Sequence, residues 1–311
     1  MRDGRADRDA HAPSAPLRVS PGDAGYAQQA RLEAEFWGRS DFSVVSLTQD
    51  APPWAVQAGN RLLTGRADTH WLDDLMARGP FLRAAALGCN EALHEAAWLS
   101  HAPGARLDVY EISETVIRKV RNALRTRRFG ISWPRHDVRF IQADLNFVRL
   151  PRAAYDIVWS CGCLHHVINL EHLFAEVEAT LRPGGIFAFN DYVGERRLQF
   201  APERLEVINE VLQRVPPRFR GTADRIERPA PEWISPFCAV RSDEILPLAE
   251  ARFSSLHLGR AGALFPLTFR LDLNAIGREA PELAAYLDEA EAAAARRFQP
   301  CGVYAVFQKA S

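Results

Sequence analysis

Residues 155–190 read YDIVWSCGCLHHVINLEHLFAEVEATLRPGGIFAFN. Asp156–Ser160 is a short apolar run between turn signals, which predicts a buried strand. A helical period follows over Leu170–Leu181 and is stopped by Pro183-Gly184-Gly185. Ile186–Asn190 then predicts a second strand. A strand, a helix and a strand in that order are the unit from which parallel sheets are built.

Working toward the N-terminus, the same alternation repeats at roughly 25-residue spacing. Ala84–Leu87 predicts a strand ending in Gly88, and Glu91–Ser100 a helix. Leu107–Ile112 predicts the next strand. Ser113 then caps a helix whose apolar face carries Val116, Ile117 and Val120. Val138–Ala143 is the third strand in chain order. Strands this apolar are covered on both faces. The expected fold is therefore α/β, a doubly wound, mostly parallel sheet.

Toward the C-terminus the alternation breaks from Gly194 to about Pro247. A helix is expected over Glu203–Arg214, a Pro- and Arg-rich loop over Val215–Pro236, and a short helix over Ser242–Ala251. Phe253–Leu258 and Val303–Gln308 predict two closing strands, separated by an Ala/Glu-rich helix over Pro281–Arg297, which suits an antiparallel end to the sheet. Before the sheet, residues 1–20 lack periodicity and are expected to be disordered. Helices are expected over Gln28–Trp37 and Thr69–Ala77, with a looser stretch to Gly65 between them. The resulting division is a tail at 1–20, a helical cap at 21–79 and a sheet domain at 80–311, with 194–250 as an insert or lid on the substrate side.

Composition narrows the class. The 311 residues carry 38 Lys+Arg against 39 Asp+Glu, a formal charge of -1, so no global attraction to polyanions is expected. Five cysteines are an odd number in a chain too long to need disulfide staples. No apolar run approaches the ~20 residues of a membrane span, and the polar start MRDGRADRDAHAPSAP has no signal-peptide core. The expectation is a cytoplasmic protein with no membrane partner.

In a doubly wound sheet, ligands sit outside the carboxyl ends of the strands. The first such end is Leu87-Gly88-Cys89-Asn90-Glu91-Ala92, where Gly88 permits close backbone approach and Asn90 tolerates unusual angles. The second ends in Glu111-Ile112, with Glu111 placed 23 residues after Gly88, near the spacing at which an acid accepts both hydroxyls of a ribose. The third ends in Asp144-Leu145, an acceptor for an exocyclic amine followed by an apolar cover. The fourth ends in Ser160-Cys161-Gly162-Cys163-Leu164-His165-His166.

LGCN, VYEIS, QADL, YDIVWSCGCLHHV and LRPGGIFAF, in this order and spacing, resemble the class I S-adenosylmethionine-dependent methyltransferases over residues 80–192. That resemblance implies a Rossmann-like fold with a seven-stranded sheet, S-adenosyl-L-methionine as cofactor, and methyl transfer to a small molecule. It implies that Gly88, Cys89 and Asn90 line the methionine moiety and that Glu111 holds the ribose. Ile112, Asp144 and Leu145 would then bind adenine, and Cys161 would touch the cofactor through its main chain. Asn90 and Ala92 stand where the family usually has glycine. An Asn/Asp-Pro-Pro-aromatic tetrapeptide is absent after the fourth strand, which argues against methylation of nucleic-acid base amines.

Methyl transfer asks for alignment and, with a protonated nucleophile, a base. The candidates are His165, His166, Asp191 and Tyr192, all at the carboxyl edge. Cys161, Cys163, His165 and His166 have the residue types of a metal site, but a strand end running straight into a helix rarely converges four ligands, so no metal is expected. Residues 118–139 form a basic stretch, read as a solvated face rather than a nucleic-acid dock. Arg214, Arg218, Arg220, Arg225 and Arg228 in the insert, near Trp233 and Phe237, could hold a carboxylate or phosphate. The expected acceptor is a small molecule with an anionic or aromatic portion; nothing in the chain addresses the oligomeric state.

Overall fold

The structure is a computed structural model, described over residues 18–39, 51–89, 92–102, 104–125, 137–221, 224–231 and 234–310. Asn90, residues 126–136 of the basic stretch and Trp233 lie outside the described residues. Strands β1 (Arg83–Leu87), β2 (Arg106–Glu111), β3 (Asp137–Gln142), β4 (Tyr155–Cys161), β5 (Leu181–Tyr192), β6 (Ser254–Ala261) and β7 (Gly302–Gln308) form one sheet in the order β3-β2-β1-β4-β5-β7-β6. The first five are parallel, and β7 runs antiparallel between β5 and β6. The strand order reverses between β1 and β4, so the ligand crevice is expected beyond their carboxyl ends.

The expected sheet is present, with shifted ends. The helix α6 (Leu170–Thr180) stops before the Pro-Gly-Gly turn, and β5 already begins at Leu181, its pairing with β4 irregular between Tyr155 and Ile157. Both faces are buried, and the alternation of side chains along each strand assigns them. Leu87, Val158, Phe187, Phe189 and Phe307 face α6 and the helix α8 (Ser242–Glu250), whose Ile245 and Ala249 are fully covered. Ala84, Ala86, Leu107, Val109 and Trp159 face the helices α4 (Leu93–His101) and α5 (Glu114–Arg125).

The segments outside the alternation pack in several places around the sheet. Among the described residues of 21–79, the helix α1 (Tyr26–Gly38) lies over the carboxyl ends of the strands. The helix α2 (Pro53–Thr64), where a looser stretch was expected, packs along the far edge on β6, with Leu63 O accepting from His257 Nε2 at 2.7 Å. The helix α3 (Trp71–Met76) buries Trp71, Leu72 and Leu75 on the sheet face and is part of the core. Within the insert, the helix α7 (Pro202–Arg214) shares a separate small core with α9 (Leu273–Glu279) and α10 (Pro281–Ala295), elements that precede β7. α8 packs into the sheet core through Ile245, Leu246 and Ala249. Val19 and Ser20, in the stretch expected to be disordered, are held by Asn169 and Asp23 respectively. Among the described residues, no helix is long and apolar enough to cross a membrane, and no disulfide joins the cysteines.

Candidate active site

A cavity of about 290 Å³ opens at the carboxyl ends of β1, β2, β3 and β4. Gly88, Cys89, Glu111, Ile112, Asp144, Leu145 and Cys161 all line it. Gly88 takes φ +74, and a Cβ there would meet the Cys163 Sγ at 2.5 Å, so the turn needs glycine both for its backbone and for its closeness to β4. Ala92, where the resembled family has glycine, adopts the same left-handed region with φ 56 and is fully buried. A Cβ in that region is strained by about 1–2 kcal/mol.

The acids at the strand ends are held by the backbone around them. Glu111 is 6% exposed; its Oε1 accepts from Ser113 N at 2.9 Å and its Oε2 from Cys89 N at 3.2 Å. Burial nonetheless raises its pKa. Asp144 Oδ1 accepts from Asn146 N at 2.9 Å and Nδ2 at 3.0 Å, and its Oδ2 accepts from the Tyr26 hydroxyl at 2.6 Å. Tyr26 lies on α1 between Phe147, edge-on, and Phe237, stacked at 5.6 Å. The first helix is thereby pinned over the Asp144 end of the cavity.

Several lining residues carry no sequence signal for the site. Glu33 and Trp37 come from α1, one turn apart, with Trp37 Nε1 donating to Glu33 Oε1 at 2.7 Å. Phe237 comes from the insert, and its backbone N donates to Glu33 Oε2 at 2.9 Å. Glu95, in the first turn of α4, is 3% exposed and lines the cavity. Burial pushes it up to about 8; its own backbone N–H lowers it and the facing Glu111 raises it further. For Glu33, Trp37 and Glu95 the helix was legible, but which helical face meets strand ends far along the chain depends on packing.

The four catalytic candidates separate. His166 lines the cavity, its ring edge-on to Trp37 and its Nδ1 2.9 Å from Glu33 Oε1. Burial and the neighbouring His165 lower its pKa, against the pull of Glu33. His165, Asp191 and Tyr192 do not line the cavity. Asp191 is saturated: Cys163 N, Leu164 N, Tyr192 N and His165 Nδ1 all donate to it at 2.6–2.9 Å. It caps the turn after β4 and holds the His165 ring. Burial opposes charge on His165, but Asp191 and, less strongly, a hydrogen bond to Cys238 push it up to about 10. The Tyr192 hydroxyl donates to Glu195 O at 3.1 Å, and its ring packs on Phe265 and meets His165 edge-on at 6.1 Å.

The insert's arginines also lie elsewhere. Arg214 and Arg218 sit over the rings of Tyr286 and Phe219, Arg220 and Arg228 donate to backbone carbonyls, and Arg225 lines a shallow hollow beside α7. Among the described residues, four carboxylates line the cavity and no arginine or lysine does. In the basic stretch, Arg118, Lys119, Arg121, Arg125 and Arg139 each have a partner within the chain.

Residues 86–189 match the model of a family described as methyltransferase domain. Over 106 residues the chain is 23% identical to malonyl-[acyl-carrier protein] O-methyltransferase 2 of Ilyobacter polytropus, covering 34% of this chain and 38% of that one. Over 56 residues it is 36% identical to 27-O-demethylrifamycin SV methyltransferase of Amycolatopsis mediterranei, covering 18% and 21%. The chain thus spans well under half the length of these curated relatives. Among solved structures, geranyl diphosphate C-methyltransferase of Streptomyces coelicolor superposes with TM-score 0.52 at 13% identity, covering 94% of this chain and 99% of that one. A likeness at that identity speaks for the fold.

Proposed function

We propose, on the premise that this chain carries a class I S-adenosylmethionine-dependent methyltransferase domain, that the protein moves a methyl group from that cofactor to a small-molecule acceptor in the cytoplasm. The cofactor supplies an electrophilic methyl carried on a sulfonium, so the protein's work is binding, alignment and exclusion of water. Glu111 would accept the ribose hydroxyls, and Asp144 the adenine amine, with Ile112 and Leu145 against the ring. Gly88 and Cys89 would meet the methionine end, and Cys161 the cofactor through its main chain.

The observation that carries this reading is the cavity's charge. It combines four acids with no lysine or arginine among the described lining residues, and burial already raises the pKa of Glu95 and Glu111. Buried carboxylates without cationic partners are costly. A ligand bearing a sulfonium and an ammonium against a single carboxylate brings net positive charge to such a cavity. The Gly88 turn, which a Cβ would close, leaves backbone room for it.

His166 is the catalytic candidate that meets the cavity, so we place the acceptor beside it, against Trp37, Val167 and Phe237. The insert arginines are occupied elsewhere, which favours a neutral, apolar or aromatic acceptor over an anionic one. α1 and residues 234–240 would form the lid over the reaction. Calorimetric titration with S-adenosylmethionine and with its demethylated product tests the reading. Binding of both, abolished in Glu111→Ala, supports it; binding of neither overturns it. Binding without turnover of any small acceptor would leave a cofactor-binding module.

A further inference from the structure

We propose that His165, His166 and Cys238 bind a divalent transition-metal ion of the zinc class, with Asp191 and Glu33 orienting the two imidazoles. One ring nitrogen of each histidine and the Cys238 Sγ lie within 4.8 Å of one another. Tetrahedral zinc, with Zn–N of about 2.0 Å and Zn–S of about 2.3 Å, asks for roughly 3.5 Å between ligand atoms. Rotation of the Cys238 side chain, which is not among the two carboxylate-held rings, would close that difference.

The stronger argument is what holds the two rings. A metal-ligating imidazole characteristically gives its other nitrogen to a carboxylate, which fixes tautomer and orientation. Here both rings are held that way: His165 Nδ1 is 2.6 Å from Asp191 Oδ1, and His166 Nδ1 is 2.9 Å from Glu33 Oε1. Both carboxylates are nearly inaccessible, with side-chain exposures of 0% and 3%. With Nδ1 of each ring held in this way, Nε2 would be the nitrogen offered to a metal. The donor types, two imidazoles and a thiol, suit zinc over magnesium or calcium, which prefer oxygen.

Cys238 is delivered by a constrained loop. The next residue, Ala239, is fully buried at φ 51, a left-handed conformation that a non-glycine residue holds only when its surroundings require it. Arg197 N donates to Ala239 O at 2.7 Å, and Val240 N to His165 O at 3.3 Å. The loop is therefore tied to the same turn that carries the histidines. Cys161, which the sequence groups with them, instead has its Sγ 3.9 Å from His94 Nε2.

Three protein ligands leave one position for an outside oxygen or nitrogen, the arrangement of a catalytic rather than a structural zinc site. His166 and Phe237 line the cofactor cavity, so that position belongs to the acceptor side. A metal there would bind an acceptor hydroxyl and lower its pKa. This acceptor role rests on the methyl-transfer reading; metal binding itself does not.

The test is metal binding, independent of turnover. Protein stripped with chelator is titrated with zinc and, separately, with cobalt. The expected result is one equivalent of either, with cobalt giving a thiolate-to-metal charge-transfer band that Cys238→Ser abolishes and Cys301→Ser keeps. Asp191→Asn is expected to weaken metal affinity by about 10–100-fold. Mapped alkylation of wild-type protein covers the case in which Cys238→Ser fails to fold: zinc should slow modification of Cys238 by at least about tenfold, since a coordinated thiolate is withheld. Substoichiometric binding, a band that survives Cys238→Ser in a folded protein, or alkylation of Cys238 indifferent to zinc each overturns the proposal. The last result would mark Cys238 as a reactive thiol beside the His165–Asp191 pair. Cofactor binding measured on the same stripped protein separates failure here from failure of the methyltransferase reading.

Discussion

The cavity at the strand ends and the insert beside it handle charge in opposite ways. The cavity gathers four acids with no lysine or arginine among its described lining residues. The insert, rich in arginine, spends its cations on rings, carbonyls and carboxylates of its own neighbourhood. Arg241 shows the second pattern most completely. It is fully buried, donating to Ile168 O at 2.7 Å and to both Glu171 and Glu244. The difference teaches that local charge density in a sequence does not locate a ligand. What matters is whether a buried charge has a partner in the chain or awaits one from outside.

The largest expected effect on that comparison comes from Glu111→Ala. Losing charge-assisted hydrogen bonds to a diol costs about 4 kcal/mol, roughly a thousandfold in Kd, measured by titration with S-adenosylmethionine while the melting temperature stays near that of the parent. A folded variant that binds normally breaks the assignment of the cavity. Arg241→Met should do the reverse, costing about 3 kcal/mol of stability in denaturant unfolding because Glu171 and Glu244 lose their partner.

Glu95 offers a pH signature. Its folded pKa lies above the ordinary value, so its contribution to stability is full below pH 4.5 and is lost as pH rises through about 8. Ligand-free protein should therefore lose on the order of 5 kcal/mol from this group across that range, and Glu95→Gln should flatten the profile. An unchanged profile in the variant would remove Glu95 from the cavity's uncompensated acids. Ala92→Gly should relieve left-handed strain and, after the entropy cost of glycine, stabilise by about 0.5 kcal/mol. Arg225→Ala, on the outer surface of the insert, should change stability and cofactor Kd by less than about 0.5 kcal/mol; a larger loss of cofactor affinity would reconnect the insert's charge to the site.

Much of the fold was legible because it is written in local patterns. The alternation of short apolar runs and helical periods placed all seven strands to within a few residues, apart from the early start of β5. The helix over Pro53–Thr64 was missed although its signals were present, a proline in the first turn and Gly65 at φ 80 as the cap. Gly59 and scattered polar residues blurred its period. At the site, the strand-end residues were readable because a doubly wound sheet sends its carboxyl ends to the ligand. Asp191 and Tyr192 share that edge, yet one is consumed in capping a turn and the other packs on Phe265.

By itself the sequence determined the parallel sheet, the order of its elements and the acids presented at the ends of β2 and β3, since periodicity and spacing are local properties. Only the tertiary structure decided that Tyr26 reaches Asp144, that Glu33 meets His166 and that Cys238 stands beside His165. Those pairs are separated by long stretches of chain. Their meeting depends on how α1 and the insert pack over the sheet edge, and no local pattern encodes which face of a helix or which residue of a loop will be turned inward.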